Sequence, residues 1–134
     1  MVSLIYVSRA TADLGPDELT ALGEAAAAAN AANGITGMLA YNGEHFMQLL
    51  EGQDAAVDAL LARIVADSRH RDLVVIRRDE RPARECPYWS MRAFLTPLTG
   101  AGSATEFAAR LPETFATDTR VVFTSFASIK RELA

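Results

Sequence analysis

The chain has 134 residues, half of them hydrophobic, and a formal net charge of −4. This length supports one hydrophobic core of ordinary size, so we expect a single domain. The acidic balance argues against nucleic acid or an anionic membrane surface as a partner. A lone cysteine, the lack of a signal-peptide pattern and the lack of an apolar run of roughly 20 residues predict a soluble, cytoplasmic protein.

The first two elements are predicted to be a strand and a helix. Residues 2–9 are β-branched and aromatic with apolar residues on both faces, which is typical of a central strand. Residues 15–18 (GPDE) favour a helix start, and Asn33-Gly34 favours its end. The run at residues 25–29, all alanine, is interpreted as a good helix interior. One helical face carries Leu19, Leu22, Ala26 and Asn30.

Residues 34–52 are predicted to form a β-hairpin. The dipeptide Asn42-Gly43 lies between two apolar runs and predicts a type I′ turn. In the second strand, a period of two places Phe46, Gln48 and Leu50 on one face. A primary amide buried there without a partner would cost roughly 1–3 kcal/mol, so Gln48 should have a hydrogen-bond partner.

The second half of the sequence predicts one more helix and two more strands. Asp54 is expected to cap a helix that ends at residues 67–70. Strands are predicted at 73–76 and 89–95, with a charged turn over 77–87 between them. The order β-α-β-β-α-β-β is the ferredoxin-like arrangement plus one strand, an α+β fold with two helices on one face of a five-stranded sheet.

The remaining residues are predicted to contain a small loop over 98–103 and two helices, over 105–111 and 118–133. A ferredoxin-like sheet leaves one face bare, yet the first strand is apolar on both sides. We expect the C-terminal helices to cover that face, unless a second subunit does.

Few residues carry recognisable chemistry. The sequence has no metal-ligand spacing, no phosphate-binding loop and no nucleophile beside a histidine, so neither a metal site nor a hydrolase is predicted. Tyr6, Asn30 and Gln48 are expected to face one region, where they could satisfy one another or surround a flat polar ligand. Spacing alone favours the first interpretation. In the second, the faces of the ligand would be held by Leu22, Phe46 and Ile64.

Five motifs resemble, in order and spacing, those of BLUF domains, which sense blue light with a flavin. The motifs are residues 4–10 (LIYVSRA), 30–37 (NAANGITG), 46–52 (FMQLLEG), 67–70 (DSRH) and 89–91 (WSM). The resemblance covers residues 1–95, which would be the flavin-binding domain. Residues 96–134 resemble more loosely the helical tail of short, stand-alone members and would belong to the same compact unit.

The resemblance implies an FAD ring between the two helices. Asn30 matches the asparagine that anchors the ring, Gln48 the switching glutamine and Tyr6 the electron donor. Trp89 and Met91 match two fifth-strand residues, either of which can lie near the glutamine. Ala29 stands where some members carry a polar or histidine side chain, which implies one fewer hydrogen bond. The remaining cofactor-binding residues implied are Ser8, Leu22, Phe46, Ile64, Asp67, Arg69 and His70.

The implied function is a blue-light photoreceptor. Tyr6 would supply an electron and a proton, Gln48 would rotate or tautomerise, and the flavin absorption would shift to the red. Trp89 or Met91 would pass the change to the C-terminal helices or to an unidentified protein partner. We expect a homo-oligomer that turns over no substrate. Two alternatives stay open: an enzyme of acylphosphatase or flavin-dependent type, and a ligand-free oligomerisation module.

Overall fold

The computed structural model describes residues 1–96 and 103–128, which form five strands and four helices. In chain order these are β1 (Val2–Ala10), α1 (Pro16–Ala32), β2 (Thr36–Tyr41), β3 (His45–Gly52), α2 (Asp54–Ala66), β4 (His70–Glu80), β5 (Arg92–Leu95), α3 (Ser103–Arg110) and α4 (Thr117–Ser128). Of the predicted loop over 98–103, residues 98–102 lie outside the described residues and Ser103 begins α3. The last part of the predicted final helix, 129–133, also lies outside the described residues. No helix in the described part of the chain is both long enough and apolar enough to cross a bilayer.

The five strands form one sheet in the order β4-β1-β3-β2-β5. β1 lies between β4 and β3 and is antiparallel to both, whereas β5 is added to the far edge parallel to β2. The predicted ferredoxin-like α+β fold with one extra strand is confirmed. The register pairs Tyr6 with Gln48, so both side chains point to the same face of the sheet.

Two hydrophobic clusters lie on opposite faces of this sheet. Helices α1 and α2 cover the face that carries Leu4, Tyr6 and Phe46. Helices α3 and α4 cover the other face, so the expectation that the C-terminal helices bury it is confirmed. The largest contributors there are Ile5, Met38, Leu49, Phe94, Phe107, Phe123 and Phe126.

Helix α1 approaches β5 closely because both contact residues are small. A Cβ atom placed on Gly23 would lie only 2.9 Å from the Cβ atom of Ala93. This separation is shorter than side chains tolerate, so any larger residue at position 23 would push the helix off the strand.

Two strand boundaries differ from the prediction. β4 extends from His70 to Glu80, so the charged residues 77–80 belong to an edge strand and not to a turn. Their side chains find ion-pair partners at the sheet edge, where charge is tolerated. β5 begins at Arg92, so Trp89 and Met91 precede the strand. The segment before it contains Pro87, which cannot donate a ladder hydrogen bond.

Two local predictions are wrong. In the hairpin, Gly43 has a φ of 91° but Asn42 does not adopt a positive φ, so the turn is not type I′. Instead, the side-chain oxygen of Asn42 accepts hydrogen bonds from the backbone N–H groups of Glu44 (3.0 Å) and His45 (2.7 Å). The N-cap of α2 is Gln53, which makes Asp54 the first helical residue, where its carboxylate still faces the positive end of the helix dipole.

Candidate functional site

A cavity of about 270 Å³ lies between α1 and α2, above the sheet. Its volume is just below the roughly 300–1,000 Å³ usual for small-molecule sites, which suits one planar ring system. The walls are mainly apolar, with amides at one end and charged groups at the rim. The lining residues are Leu22, Ala25, Ala26, Ala29, Asn30, Leu39, Gln48, Leu60, Arg63, Ile64, Asp67, Arg69 and His70.

Alanines of α1 create much of this space. Ala25 and Ala26 follow Leu22 by three and four residues, and Ala29 and Asn30 follow Ala26 by three and four, so all five share the strip of the helix that faces the cavity. Their methyl groups are too small to fill the gap to α2. The interpretation of the alanine run as a mere helix interior therefore missed three lining residues, although their spacing from Leu22 contained the signal.

A buried hydrogen-bonded chain runs from β1 through β3 to the residue before β5. The Tyr6 hydroxyl donates to Oε1 of Gln48, and Nε2 of Gln48 donates to the sulfur of Met91 at 3.2 Å. Tyr6 is fully buried and Gln48 is 5% exposed. Burial, with a smaller contribution from the charge of Asp67, raises the pKa of the Tyr6 phenol well above its usual value. Tyr6 is therefore a neutral donor, and Gln48 has the partner that its position required.

Asn30 closes the amide end of the cavity from the last turn of α1. Its Nδ2 donates to the backbone oxygen of Ser90 at 3.1 Å, and the side chain is almost fully buried. It bonds to neither Tyr6 nor Gln48, so these three groups do not satisfy one another as a set. Among the described residues, the side-chain oxygen of Asn30 accepts no hydrogen bond, which leaves an acceptor at the cavity wall.

The two candidates for contact with Gln48 lie on opposite sides of the sheet. Met91 belongs to the hydrophobic cluster under α1 and α2, whereas Trp89 packs against the cluster under α3 and α4. The Trp89 ring lies 5.7 Å from the ring of Phe94, and the Arg92 guanidinium lies over it at 4.9 Å. In this structure Met91 is the one that contacts Gln48.

Ser8 and Phe46 lie behind the cavity wall and position His70. The Ser8 hydroxyl is 2.7 Å from Nδ1 of His70, and the rings of Phe46 and His70 are 4.8 Å apart. Burial lowers the pKa of His70 despite the nearby Asp67 carboxylate, which favours a neutral ring at pH 7. His70 thus presents a neutral, oriented imidazole to the cavity.

The charged rim of the cavity contains one paired arginine and one unpaired arginine. Arg69 donates to both carboxylate oxygens of Asp67, at 2.5 to 3.0 Å, and these bonds hold the pKa of Asp67 at about 2. Arg63, in the last turn of α2, makes no hydrogen bond, ion pair or ring contact within residues 1–96 and 103–128. Arg63 follows the lining residue Leu60 by three residues, and that helical spacing could have identified it from the sequence.

The structure thus brings together most of the residues singled out from the sequence. Those that line the cavity are Leu22, Asn30, Gln48, Ile64, Asp67, Arg69 and His70. Tyr6, Ser8, Phe46 and Met91 support them from behind, and Trp89 lies on the other face of the sheet. Across the described parts of the chain, no group of three or more His, Cys, Asp and Glu side chains could hold a metal ion.

Comparisons with known proteins place this geometry in context. A family model described as sensors of blue-light using FAD matches residues 1–92. The chain is 33% identical over 94 residues to the blue light- and temperature-regulated antirepressor BluF of Escherichia coli; the match covers 70% of this chain and 23% of that protein. The chain therefore spans about a quarter of the length of this relative.

Two solved structures share the fold. BlrP1 of Klebsiella pneumoniae, solved with FMN and cyclic diGMP, superposes with a TM-score of 0.81 at 32% identity over 95% of this chain and 35% of that chain. BlrB, a BLUF protein solved in its dark state, gives a TM-score of 0.69 at 30% identity over 96% of both chains.

Proposed function

The chain belongs to the BLUF family of blue-light sensors, and from this premise we propose that it is a flavin photosensor in which Tyr6 and Gln48 relay the response to Met91. The hydrogen-bonded chain of Tyr6, Gln48 and Met91 at the wall of a ring-sized cavity is the observation that carries the proposal. It links a buried phenol to a residue outside the regular strands.

The lining residues fit a flavin ring. Leu22 and Ile64 would hold its two faces, because they project from the two helices that flank the cavity. Asn30 and Gln48 would serve its polar edge, Asn30 through the side-chain oxygen that meets no donor in the described parts of the chain. A bound flavin absorbs blue light and, once excited, is a strong oxidant.

FAD is the proposed cofactor, and the charged rim suits its phosphates. Arg63 has no partner among the described residues, and Arg69 keeps donors beyond those engaged by Asp67. FMN carries a phosphate too, and BlrP1 was solved with FMN. We propose FAD over FMN because the family model that matches residues 1–92 is described as sensors of blue-light using FAD.

Tyr6 and Gln48 are suited to move a proton and to exchange hydrogen bonds. The phenol of Tyr6 can release an electron and its hydroxyl proton together, because that proton already points at Oε1 of Gln48. An amide offers both a donor and an acceptor, so rotation or tautomerisation of Gln48 rewrites its bonds without moving a net charge. The Met91 sulfur is a weak acceptor, so releasing Nε2 costs little.

The output is proposed to be a protein partner. The Escherichia coli relative is named an antirepressor, which is a role carried out on another protein. We further propose that the domain over residues 1–95 acts in the cytoplasm as part of a homo-oligomer and turns over no substrate of its own. Residues 96–134 would then carry the signal away, since α4 packs on the face opposite the cavity.

The test is the absorption spectrum before and after blue light. The protein reconstituted with FAD should be yellow, should shift to the red on illumination and should revert in the dark. Gln48→Leu should stay yellow but lose the shift, because leucine cannot relay a hydrogen bond. Gln53→Leu is the matched control, since Gln53 is exposed and its side chain makes no capping bond. A protein that binds neither FAD nor FMN would refute the proposal.

A further inference from the structure

Strand β3 carries a buried carboxylate that takes no part in the proposed relay of Tyr6, Gln48 and Met91. Glu51 lies three residues beyond Gln48, on the opposite face of the strand, and is 1% exposed. An ionised carboxylate is rarely buried to this extent unless donors surround it. Its partners therefore indicate what it is for.

Glu51 binds the backbone at the start of the segment formed by residues 84–91. Its Oε1 accepts from the Cys86 N–H at 2.8 Å and from the Thr36 hydroxyl at 3.0 Å. Its Oε2 accepts from the Glu85 N–H at 2.5 Å. Two of the three donors are therefore amides of this segment, which lies outside the sheet and has no ladder partners to supply acceptors.

The 84–91 segment delivers one group to β2 and two groups to the amides that line the cavity. The Trp89 carbonyl accepts from the Gly37 N–H at 2.9 Å, and the Ser90 carbonyl accepts from Nδ2 of Asn30. Met91 receives the Gln48 amide. The orientation of both cavity amides thus depends on where this short segment lies.

Arg84 fixes the same end of the segment from a second direction. Its Nη1 donates to the Thr36 hydroxyl at 2.8 Å and to the Glu51 backbone oxygen at 3.0 Å, and its Nη2 donates to the Gly34 backbone oxygen at 2.7 Å.

The outer side of the segment is tied to α4. The Glu85 carbonyl accepts from the Thr114 hydroxyl at 2.5 Å, and the Glu85 carboxylate lies 3.2 Å from Arg81 and 3.3 Å from the Ala116 N–H, just before α4 begins. A displacement of the segment would therefore change the hydrogen bonds of the cavity amides and also those of the residues just before α4.

We propose that Glu51 is a positioning residue that holds the 84–91 segment so that Met91 meets Gln48 and Ser90 meets Asn30. The effect on the light response rests on the proposed photosensor function, whereas the effect on the segment does not. Glu51 acts on the relay from the far side of β3, through backbone amides and not by contact with the relay itself.

Glu51→Gln is the variant to test first. Glutamine has the same shape, but its amide nitrogen would face a backbone N–H, so at least one donor of the segment is left without an acceptor. In flavin-free protein, exchange of the Cys86 and Gly37 amides should accelerate on the order of tenfold. Acrylamide quenching of Trp89, the chain's single tryptophan, should rise as well. Glu44→Gln is the control, because Glu44 is 42% exposed and, among the residues that the structure describes, its carboxylate pairs with Arg9 alone.

The flavin-loaded protein provides the readout that separates positioning from stability. Glu51→Gln should change the dark-reversion rate, on the order of tenfold, but should add nothing further in a Met91→Ala background, because its effect passes through Met91. Equal effects in both backgrounds, or reversion and amide exchange unchanged from the wild type, would overturn the proposal.

A milder variant covers the case in which Glu51→Gln does not fold. Thr36→Val removes one of the three donors and should shift the same amides in the same direction by a smaller factor. Should the wild-type protein show no light response, the photosensor proposal fails, while amide exchange in flavin-free protein still tests the role of Glu51. Unchanged exchange of the Cys86 amide in both variants would refute that role by itself.

Discussion

The two faces of the sheet are covered by helix pairs in different ways. Under α3 and α4, phenylalanine rings fill the space, with Phe115 and Phe123 centred 6.0 Å apart and Phe94 and Phe107 5.8 Å apart. Under α1 and α2, alanines leave a cavity of about 270 Å³ beside buried polar groups. The first face is packed mainly with aromatic rings and keeps an open, apolar groove beside α4, whereas the second holds a cavity with buried polar groups at its wall.

This difference explains where polar groups are tolerated. On the cavity face, Tyr6 and Gln48 satisfy each other at the wall. On the face under α3 and α4, the filled face, burial of the Glu51 carboxylate is tolerated because three hydrogen-bond donors reach it. Substitutions should therefore damage stability on the filled face and ligand binding on the cavity face.

The largest loss of stability is expected on the filled face. Phe123→Ala removes a fully buried ring and should lower the free energy of unfolding by about 3–5 kcal/mol. Leu22→Ala, at the cavity wall, should cost clearly less because Leu22 is only partly buried. Urea denaturation of flavin-free protein measures both. Equal losses would show that the two faces are packed alike.

Filling the cavity should weaken ligand binding strongly without unfolding the protein. Ala26→Leu places a larger side chain in the cavity and should weaken FMN binding on the order of a hundredfold, measured by fluorescence titration. Ala28→Leu is the matched control, because Ala28 is exposed on the same helix and does not line the cavity. If both variants bound FMN like the wild type, the cavity would not be the flavin site.

The buried phenol of Tyr6 should make the protein sensitive to alkali. Because its pKa is raised in the folded state, its contribution is complete below about pH 10 and is lost as the pH rises, by about 1.4 kcal/mol per pH unit. The stability of Tyr6→Phe should fall less steeply above pH 10. Cys86, whose pKa burial also raises, is common to both proteins and cancels in the comparison. Parallel profiles of unfolding free energy against pH would contradict the assignment.

Asp67, the carboxylate at the cavity rim, should have the smallest effect on stability, and this effect should appear at acidic pH. Arg69 lowers the pKa of Asp67 to about 2, so its contribution is present above pH 4 and is lost as the pH falls through 2. Asp67→Asn should therefore flatten the dependence of Tm on pH between 5 and 2. The change should be slight because the pair lies at the rim, with Arg69 more than half exposed. A steeper profile in the variant would reverse the inferred sign.

The sheet and the Tyr6–Gln48 pair could be predicted because their signals are local. A β-branched and aromatic run, apolar on both faces, identified β1, and a period of two after the Asn42-Gly43 turn identified the faces of β3. The observed register brings Tyr6 and Gln48 to one face, as expected. The resemblance to BLUF domains then supplied a candidate ligand, which spacing alone did not.

The start of β5, the role of the α1 alanines and the hairpin turn could not be predicted, because they depend on contacts that local patterns in the sequence do not show. The start of β5 could not be located because the residues before it are held by Glu51, a side chain from β3. The role of the alanines depended on how far apart α1 and α2 settle, and the turn depended on the side chain of Asn42 capping Glu44 and His45. The functional roles of the site residues stay predictions until variants are measured.

The close approach of Gly23 to Ala93 implies that the cavity has one fixed wall and one adjustable wall. Helix α1 is fixed against β5 by the close contact of Gly23 with Ala93. Helix α2 is held less firmly, because Val57 is its one fully buried residue. We therefore expect a ligand to be admitted by displacement of α2 and not of α1. In flavin-free protein, amide exchange in α2 should be faster than in α1 and should slow on reconstitution with flavin. Faster exchange in α1 than in α2 would show that α1 is the helix that moves to admit the ligand.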